Sequence, residues 1–129
     1  MYRTDARLNS ATFAIRTAMA ILVFSSLATS VSAMSLRELR NLEKSSKQGE
    51  HYANYYLVGV MEGVLEANAY GVRNGASPKV CLSGRRLEPR LARSLYETEL
   101  KRNEGTYEAD MAVQLVLVNA LTTVYSCSG

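Results

Sequence analysis

Two carboxylates one helical turn apart are the first residues in this sequence that could do chemistry. They are Glu62 and Glu66, in the stretch "YLVGVMEGVLEANAYG" from Tyr56 to Gly71. A glycosidase needs its two carboxylates on opposite sides of a cleft, not on one helix face. A di-iron site in a helix bundle needs Glu-x-x-His motifs, which this sequence lacks. We interpret the pair as the partly solvated edge of a helix that also carries Arg73, with a carboxylate metal site as the alternative.

Other catalytic motifs are missing from the sequence. His51 is the only histidine, and a surface or capping role suits its place near the start of a predicted helix. There is no G-x-S-x-G, P-loop or G-x-G-x-x-G motif. One histidine and two cysteines cannot supply the four ligands of a structural zinc site. We therefore expect a protein that is not an enzyme and that uses no metal or cofactor.

The first 33 residues have the three-part pattern of a secretory signal peptide. Three arginines precede an apolar run from Ala18 to Phe24, and the segment ends in the small residues of "VSA". We predict cleavage between Ala33 and Met34. An uncleaved membrane anchor is the alternative, but a spanning helix needs about 20 apolar residues. Losing three arginines and one aspartate lowers the net charge from +3 to +1, which leaves no basic footprint for nucleic acid.

The two cysteines, Cys81 and Cys127, both lie in the predicted mature chain, residues 34–129. In an exported protein a pair of cysteines indicates one disulfide. The bridge would close a loop of about 45 residues and contribute roughly 4 kcal/mol in the chain-entropy account. Two free thiols are the alternative.

The mature sequence predicts an all-α fold, a compact four-helix domain stapled by the disulfide. Only two prolines occur, and no alternating strand pattern is sustained. Ser35 and Glu38 form a capping box at the first helix, and Gly75 suits the left-handed end of the second. The predicted helices are Ser35–Ser45, Glu50–Arg73, Glu88–Arg102 and Tyr107–Tyr125.

Small residues recur at every fourth position of the second predicted helix, at Gly59, Gly63 and Ala67. This spacing matches a motif for helix pairing in membranes. Glu62 and Glu66 make a membrane span improbable, because carboxylates are costly in hydrocarbon. We therefore predict close packing of another helix against this row in a soluble bundle. After signal cleavage we expect no stable membrane insertion.

The fourth predicted helix is apolar on every side. Its main stripe follows the i, i+3, i+4, i+7 pattern, and Met111, Leu115 and Val118 extend the apolar surface around it. Such a helix is central to a fold or contributes to a subunit interface. A homodimer through Met111, Leu115 and Val118 is therefore one expectation.

Three motifs in order give the sequence a resemblance to the Rap/Tai family of type VI secretion immunity proteins. They are "YYLVGVMEGVLEA", "KVCLSG" and "ADMAVQLVLVNALTTVYSC", and they cover most of the mature chain. The residues that match the family pattern are Tyr56, Gly59, Cys81, Leu82, Ala120, Leu121, Tyr125 and Cys127. Ser83 and Ser126 depart from it, since the family often has proline at these places.

The resemblance implies a small helical protein of the periplasm that binds and blocks a peptidoglycan amidase effector, often as a homodimer. It also supports the four-helix fold and the disulfide. One alternative is an HdeA-like periplasmic acid-stress chaperone, although in those proteins the first cysteine precedes the apolar helix. Another alternative is a helical envelope protein without an effector partner.

A protruding turn would be the useful surface of such an inhibitor. The two candidates are Ser83–Arg86 and Arg102–Tyr107, and the second combines arginine and tyrosine, which are enriched at binding hot spots. Its candidate contact residues are Arg102, Asn103, Glu104, Thr106 and Tyr107. We expect Tyr107→Ala to weaken partner binding by more than about 1 kcal/mol and to leave thermal stability nearly unchanged. An ordinary exposed connection is the alternative.

Overall fold

The computed structural model describes residues 33–127, which form four helices and no strand. The helices are α1 (Leu36–Ser45), α2 (Gly49–Arg73), α3 (Leu91–Arg102) and α4 (Val113–Val124). The all-α class is thereby confirmed. The predicted signal peptide, apart from Ala33, lies outside the described residues. Every helix within residues 33–127 is too short or too polar to cross a membrane.

The start of α1 is held by the predicted capping box. The Glu38 amide donates to Ser35 Oγ at 3.3 Å, and the Ser35 amide donates to a Glu38 carboxylate oxygen at 2.7 Å. These bonds satisfy two amides that the first turn of a helix leaves without partners. The hydrogen bond from the Ser35 amide, with that from its hydroxyl, lowers the pKa of Glu38.

The segment before α4 is not helical: it makes a turn from Glu108 to Met111 and is extended only at Ala112, which corrects the prediction that the fourth helix begins at Tyr107. The carbonyl groups of Ala109 and Met111 accept hydrogen bonds from the amides of Arg37 and Leu36, and Val113 donates to Met34. The first two bonds satisfy the first amides of α1, and the third satisfies the first amide of α4; none of these amides has a partner within its own helix. Residues 109–111 are thus used to cap α1, and α4 begins only at Val113.

The core lies between α2 and its three neighbours. Ala53, Leu57 and Met61 form one buried row on α2, which packs against α1, α3 and α4. On α4 the predicted apolar stripe is buried at Val113, Val116, Leu117, Ala120 and Leu121, whereas Val124 at its end is 47% exposed. At the turn between α1 and α2 only glycine fits, because a Cβ at Gly49 would lie 2.2 Å from the carbonyl oxygen of Leu42.

Apart from the start of α4, the ends of the helices lie close to their predicted positions except at α3. Asn74 follows the end of α2, and Gly75 takes the predicted left-handed conformation with φ of 85°. Helix α3 begins at Leu91 instead of Glu88, because Glu88 and Pro89 form a turn whose carbonyls accept from Leu91 and Ala92.

The Cys81–Cys127 disulfide is present, as predicted. It joins the loop after α2 to the residues that follow α4. The same loop is held by the Cys81 amide, which donates to the carbonyl of Tyr125 at 2.8 Å. Asn68 on α2 adds three bonds: its side chain accepts from the amides of Lys79 and Val80 and donates to the Val80 carbonyl.

Candidate functional site

The turn that follows α3 is built on a buried carboxylate. Glu99, in the last turn of α3, has a side chain only 3% exposed. Its Oε1 accepts a hydrogen bond from the hydroxyl of Tyr107 at 2.7 Å and another from the side-chain amide of Asn103 at 2.8 Å. One carboxylate oxygen therefore ties both ends of the turn to α3.

A side chain of α4 also holds this turn. Asn119, on α4, donates from its side-chain amide to the Tyr107 hydroxyl at 3.0 Å. The backbone turns at Gly105, whose φ of 83° is readily adopted only by glycine, and Thr106 donates to the Asn103 carbonyl at 3.0 Å. The turn is thus a fixed structure held from two helices.

Burial changes the acidity of Tyr107. Desolvation raises the pKa of its hydroxyl, while the hydrogen bond from Asn119 acts in the opposite direction and Glu99 raises it further. The hydroxyl therefore remains a hydrogen-bond donor to Glu99 throughout the neutral pH range.

The other carboxylate oxygen of Glu99, Oε2, has fewer partners than Oε1. Oε2 is buried, and within residues 33–127 it accepts no hydrogen bond. The nearest cation is the guanidinium of Arg102, whose Nη1 lies 3.3 Å away as an ion pair and whose side chain is 38% exposed. A buried carboxylate usually has both oxygens bonded, so Glu99 has acceptor capacity left over.

A surface pocket of about 390 Å³ lies beside this carboxylate. Its wall mixes polar side chains from the turn and from α4 with two apolar ones, Met111 and Leu115. The polar members are Glu99, Asn103, Thr106, Tyr107, Asn119, Thr122 and Thr123. The predicted turn and the outer side of α4 therefore meet at one site.

The predicted contact residues divide into two groups. Arg102, Glu104 and Thr106 are exposed, as a contact surface requires. Asn103 and Tyr107 are half-buried and bonded to Glu99. The expectation that Tyr107→Ala leaves stability nearly unchanged treated Tyr107 as a free contact residue. That premise is wrong, because the Tyr107 side chain is bonded to Glu99 and Asn119 and holds the turn in place.

The small-residue row on α2 is also placed differently from the prediction. Gly59, Gly63 and Ala67 are exposed, and a Cβ at either glycine would meet no atom of the described chain within 4 Å. The row lines an apolar groove of about 410 Å³ with Tyr56, Val60, Val64 and Gln114. The predicted close packing of another helix against it is absent from residues 33–127.

The carboxylates on α2 have the solvated role that the sequence predicts. Glu66 pairs with Arg73 at 2.6 Å, two turns further along the helix, and both side chains are more than half exposed. Glu62 and His51 are exposed. In the described part of the chain, no group of three side chains of the metal-ligating types comes together.

The other candidate turn, Ser83–Arg86, lies next to the disulfide. Ser83 and Gly84 both have positive φ, 52° and 78°. Proline, which the Rap/Tai pattern often has at position 83, is locked near −65° and cannot adopt this conformation. Arg85 lies over the ring of Tyr125, 5.7 Å from its centre.

Two residues of the site were missed by the sequence analysis. Glu99 lies three and four residues after Tyr96 and Leu95, so a charged side chain on the apolar face of α3 was visible in the sequence. Asn119 likewise interrupts the apolar run "VLVNALTTV" of α4. A polar residue on a buried face needs a partner, and each of these residues bonds to Tyr107.

Comparison of the chain with known protein families, characterised proteins and solved structures finds no match.

Proposed function

We propose that this protein is exported to the periplasm, where it binds and inhibits a cell-wall amidase effector of a type VI secretion system. The observation that carries the proposal is the turn from Arg102 to Tyr107, which stands at the surface on a buried scaffold. The assignment to immunity proteins comes from the sequence resemblance, which the helix order and the disulfide support.

The turn has the properties of an inhibitory element. Its exposed side chains, Arg102, Glu104 and Thr106, are available to a partner, while its base is fixed by Glu99 and Asn119. A preformed turn loses little conformational entropy when it binds. It can therefore occupy a groove of an enzyme without first being ordered there.

The disulfide supports the proposed compartment. Cys81 and Cys127 are joined in the described chain, and disulfides of this structural kind persist in oxidising environments such as the bacterial periplasm.

The proposal includes a homodimer that uses the outer side of α4. Leu115 there is 43% exposed, whereas Val118 is half-buried, as is Met111, which precedes the helix instead of lying on it. Sedimentation velocity at micromolar concentration tests this part, with Leu115→Lys as the variant that would break the dimer. A wild-type protein that sediments as a monomer would rule out the homodimer.

The test of function is a pull-down with the oxidised protein, tagged at its C-terminus, from envelope and secreted extracts of the source cell. We expect a stoichiometric cell-wall hydrolase whose activity is lost in the complex. Many unfolded clients, bound only at low pH, would instead indicate an acid-stress chaperone. Recovery of the bait alone would contradict the inhibitory role.

Two substitutions then locate the contact. Thr106→Arg places a long side chain on the exposed Arg102–Tyr107 turn, and we expect it to weaken the complex at least about tenfold. Arg86→Glu alters the other candidate turn and should leave the affinity unchanged. The opposite result would move the contact to Ser83–Arg86.

A further inference from the structure

Most polar side chains around the pocket beside Glu99 already donate a hydrogen bond within the protein. Each of five polar side chains around it donates a hydrogen bond within the protein. Those side chains are Asn103, Tyr107, Asn119, Thr122 and Thr123. The two threonine hydroxyls donate to backbone carbonyls of α4, at 2.9 and 2.7 Å. The three hydroxyls have no further proton to donate, so they and the two amide oxygens offer a ligand acceptor capacity, while each asparagine amide has a second N–H.

The carboxylate adds negative charge to this set of acceptors. Glu99 Oε2 accepts no hydrogen bond from residues 33–127, although it is buried. Arg102 shows that a guanidinium can approach it, to 3.3 Å, with 38% of its side chain still exposed. Since burying an incompletely paired carboxylate is unfavourable, a ligand that brings well-directed donors would be favoured here.

The apolar part of the wall suits the stem of a basic side chain. Met111 and Leu115 line the same pocket, and Leu115 is 43% exposed. Lysine and arginine carry an apolar stem and a head that only donates hydrogen bonds. A volume of about 390 Å³ is near the small end of ligand sites, which range over about 300–1,000 Å³.

We propose that this pocket receives a lysine or arginine side chain of the protein partner. This proposal rests on the proposed function, because it requires a protein partner. It adds the type of side chain that the pocket recognises. The head of the inserted side chain approaches Glu99 in place of Arg102, and its stem covers Leu115, so partner binding and the proposed homodimer exclude each other at this surface. Charge complementarity thereby adds to the contact made by the exposed turn.

The test is an NMR titration of the oxidised protein with N-acetyl-lysine amide. N-acetyl-norleucine amide, which has the same stem without the charge, is the matched neutral probe. We expect the lysine probe to shift the resonances of Glu99, Asn103 and Thr122 and to bind at least about tenfold more tightly than the norleucine probe. Equal responses to the two probes, or shifts spread over other acidic surfaces, would overturn the proposal.

Variants separate the pocket from general electrostatics. Glu99→Gln removes the charge and should weaken binding of the lysine probe about tenfold. Glu108→Gln removes an exposed charge outside the pocket and should have no effect. If Glu99→Gln is poorly folded, Thr123→Val removes one acceptor while keeping the side-chain shape, and several-fold weaker binding is expected. Undiminished binding by either folded pocket variant would overturn the proposal.

One further probe distinguishes the source of the cation. If spermidine shifts the same resonances and binds more tightly than the lysine probe, the pocket binds a free polyamine. That result would overturn the proposal that a protein side chain occupies it. Failure of the amidase proposal is distinguishable, because the titration uses no partner protein. A lysine probe that binds normally when no hydrolase is captured would retain the pocket and remove the immunity role.

Discussion

Tyr107→Phe tests the hydrogen bonds that hold the turn after α3. The substitution keeps the ring and removes the hydroxyl that donates to Glu99 at 2.7 Å and accepts from Asn119 at 3.0 Å. A hydrogen bond to a charged group contributes about 1.5–3 kcal/mol, and one between neutral groups about 1 kcal/mol. Because Glu99 keeps its bond from Asn103, we expect the free energy of unfolding to fall by about 2 kcal/mol.

Urea unfolding followed by circular dichroism measures this change. With a slope near 1–2 kcal/mol per molar for a small domain, the midpoint should fall by about 1–2 M at unchanged slope. Tyr107→Ala also removes the packing of a half-buried ring and should cost about 1–2 kcal/mol more. Tyr55→Phe is the matched control, because Tyr55 is 76% exposed, and it should change stability by less than about 0.5 kcal/mol.

A Tyr107→Phe variant as stable as Tyr55→Phe would refute this account. It would mean that water replaces the hydroxyl at no cost, and that Glu99 does not depend on Tyr107.

The same hydroxyl gives the protein a dependence on alkaline pH. Desolvation raises the pKa of Tyr107, and it does the same for Tyr56 and Tyr96. A folded-state pKa above the unfolded value of about 10 means that the contribution is fully present below that pH. It is lost as pH rises through the folded-state pKa, because the unfolded chain releases its protons first. Stability should therefore fall above about pH 10, and less steeply in Tyr107→Phe, as urea midpoints between pH 8 and 11 would show.

Three further predictions concern the loop between α2 and α3. Replacing Cys81 and Cys127 by serine should lower the free energy of unfolding by about 4 kcal/mol, since the bridged residues are 46 apart in sequence; a loss below about 1 kcal/mol in urea unfolding would contradict the loop-entropy account. Asn68→Ala should cost about 2–3 kcal/mol, because it leaves both backbone polar groups of the buried Val80 without their partner; calorimetry showing no change in Tm would contradict it. Ser83→Pro should cost about 2 kcal/mol or more while Ser83→Gly costs little, because φ is 52° there, and equal Tm values would contradict that turn geometry.

The sequence by itself determined the features that depend on neighbours along the chain. The capping box of Ser35 and Glu38 and the left-handed end at Gly75 each follow from a few consecutive residues. The apolar period of the fourth helix is likewise local, and its stripe is buried from Val113 to Leu121. The disulfide followed from a different constraint, because a sequence with two cysteines allows only one pairing.

Only the tertiary structure decided which polar groups meet. The fourth helix starts at Val113 because the preceding carbonyls bond to amides of α1, more than 70 residues earlier in the chain. No helical period in residues 107–112 could reveal that competition. Gly59 and Gly63 are likewise exposed, because no described helix crosses α2 at these residues. Their spacing alone does not show whether a second helix packs against them.

The candidate site shows the same division. The sequence marks Arg102 to Tyr107 as a turn, because Gly105 interrupts two helical patterns. It does not show that Tyr107 is bound to Glu99 on one helix and Asn119 on another. Those bonds join residues 8 and 12 positions apart and depend on how α3 packs against α4. A buried carboxylate is stable only where such packing brings donors to it, so its place was fixed by the fold.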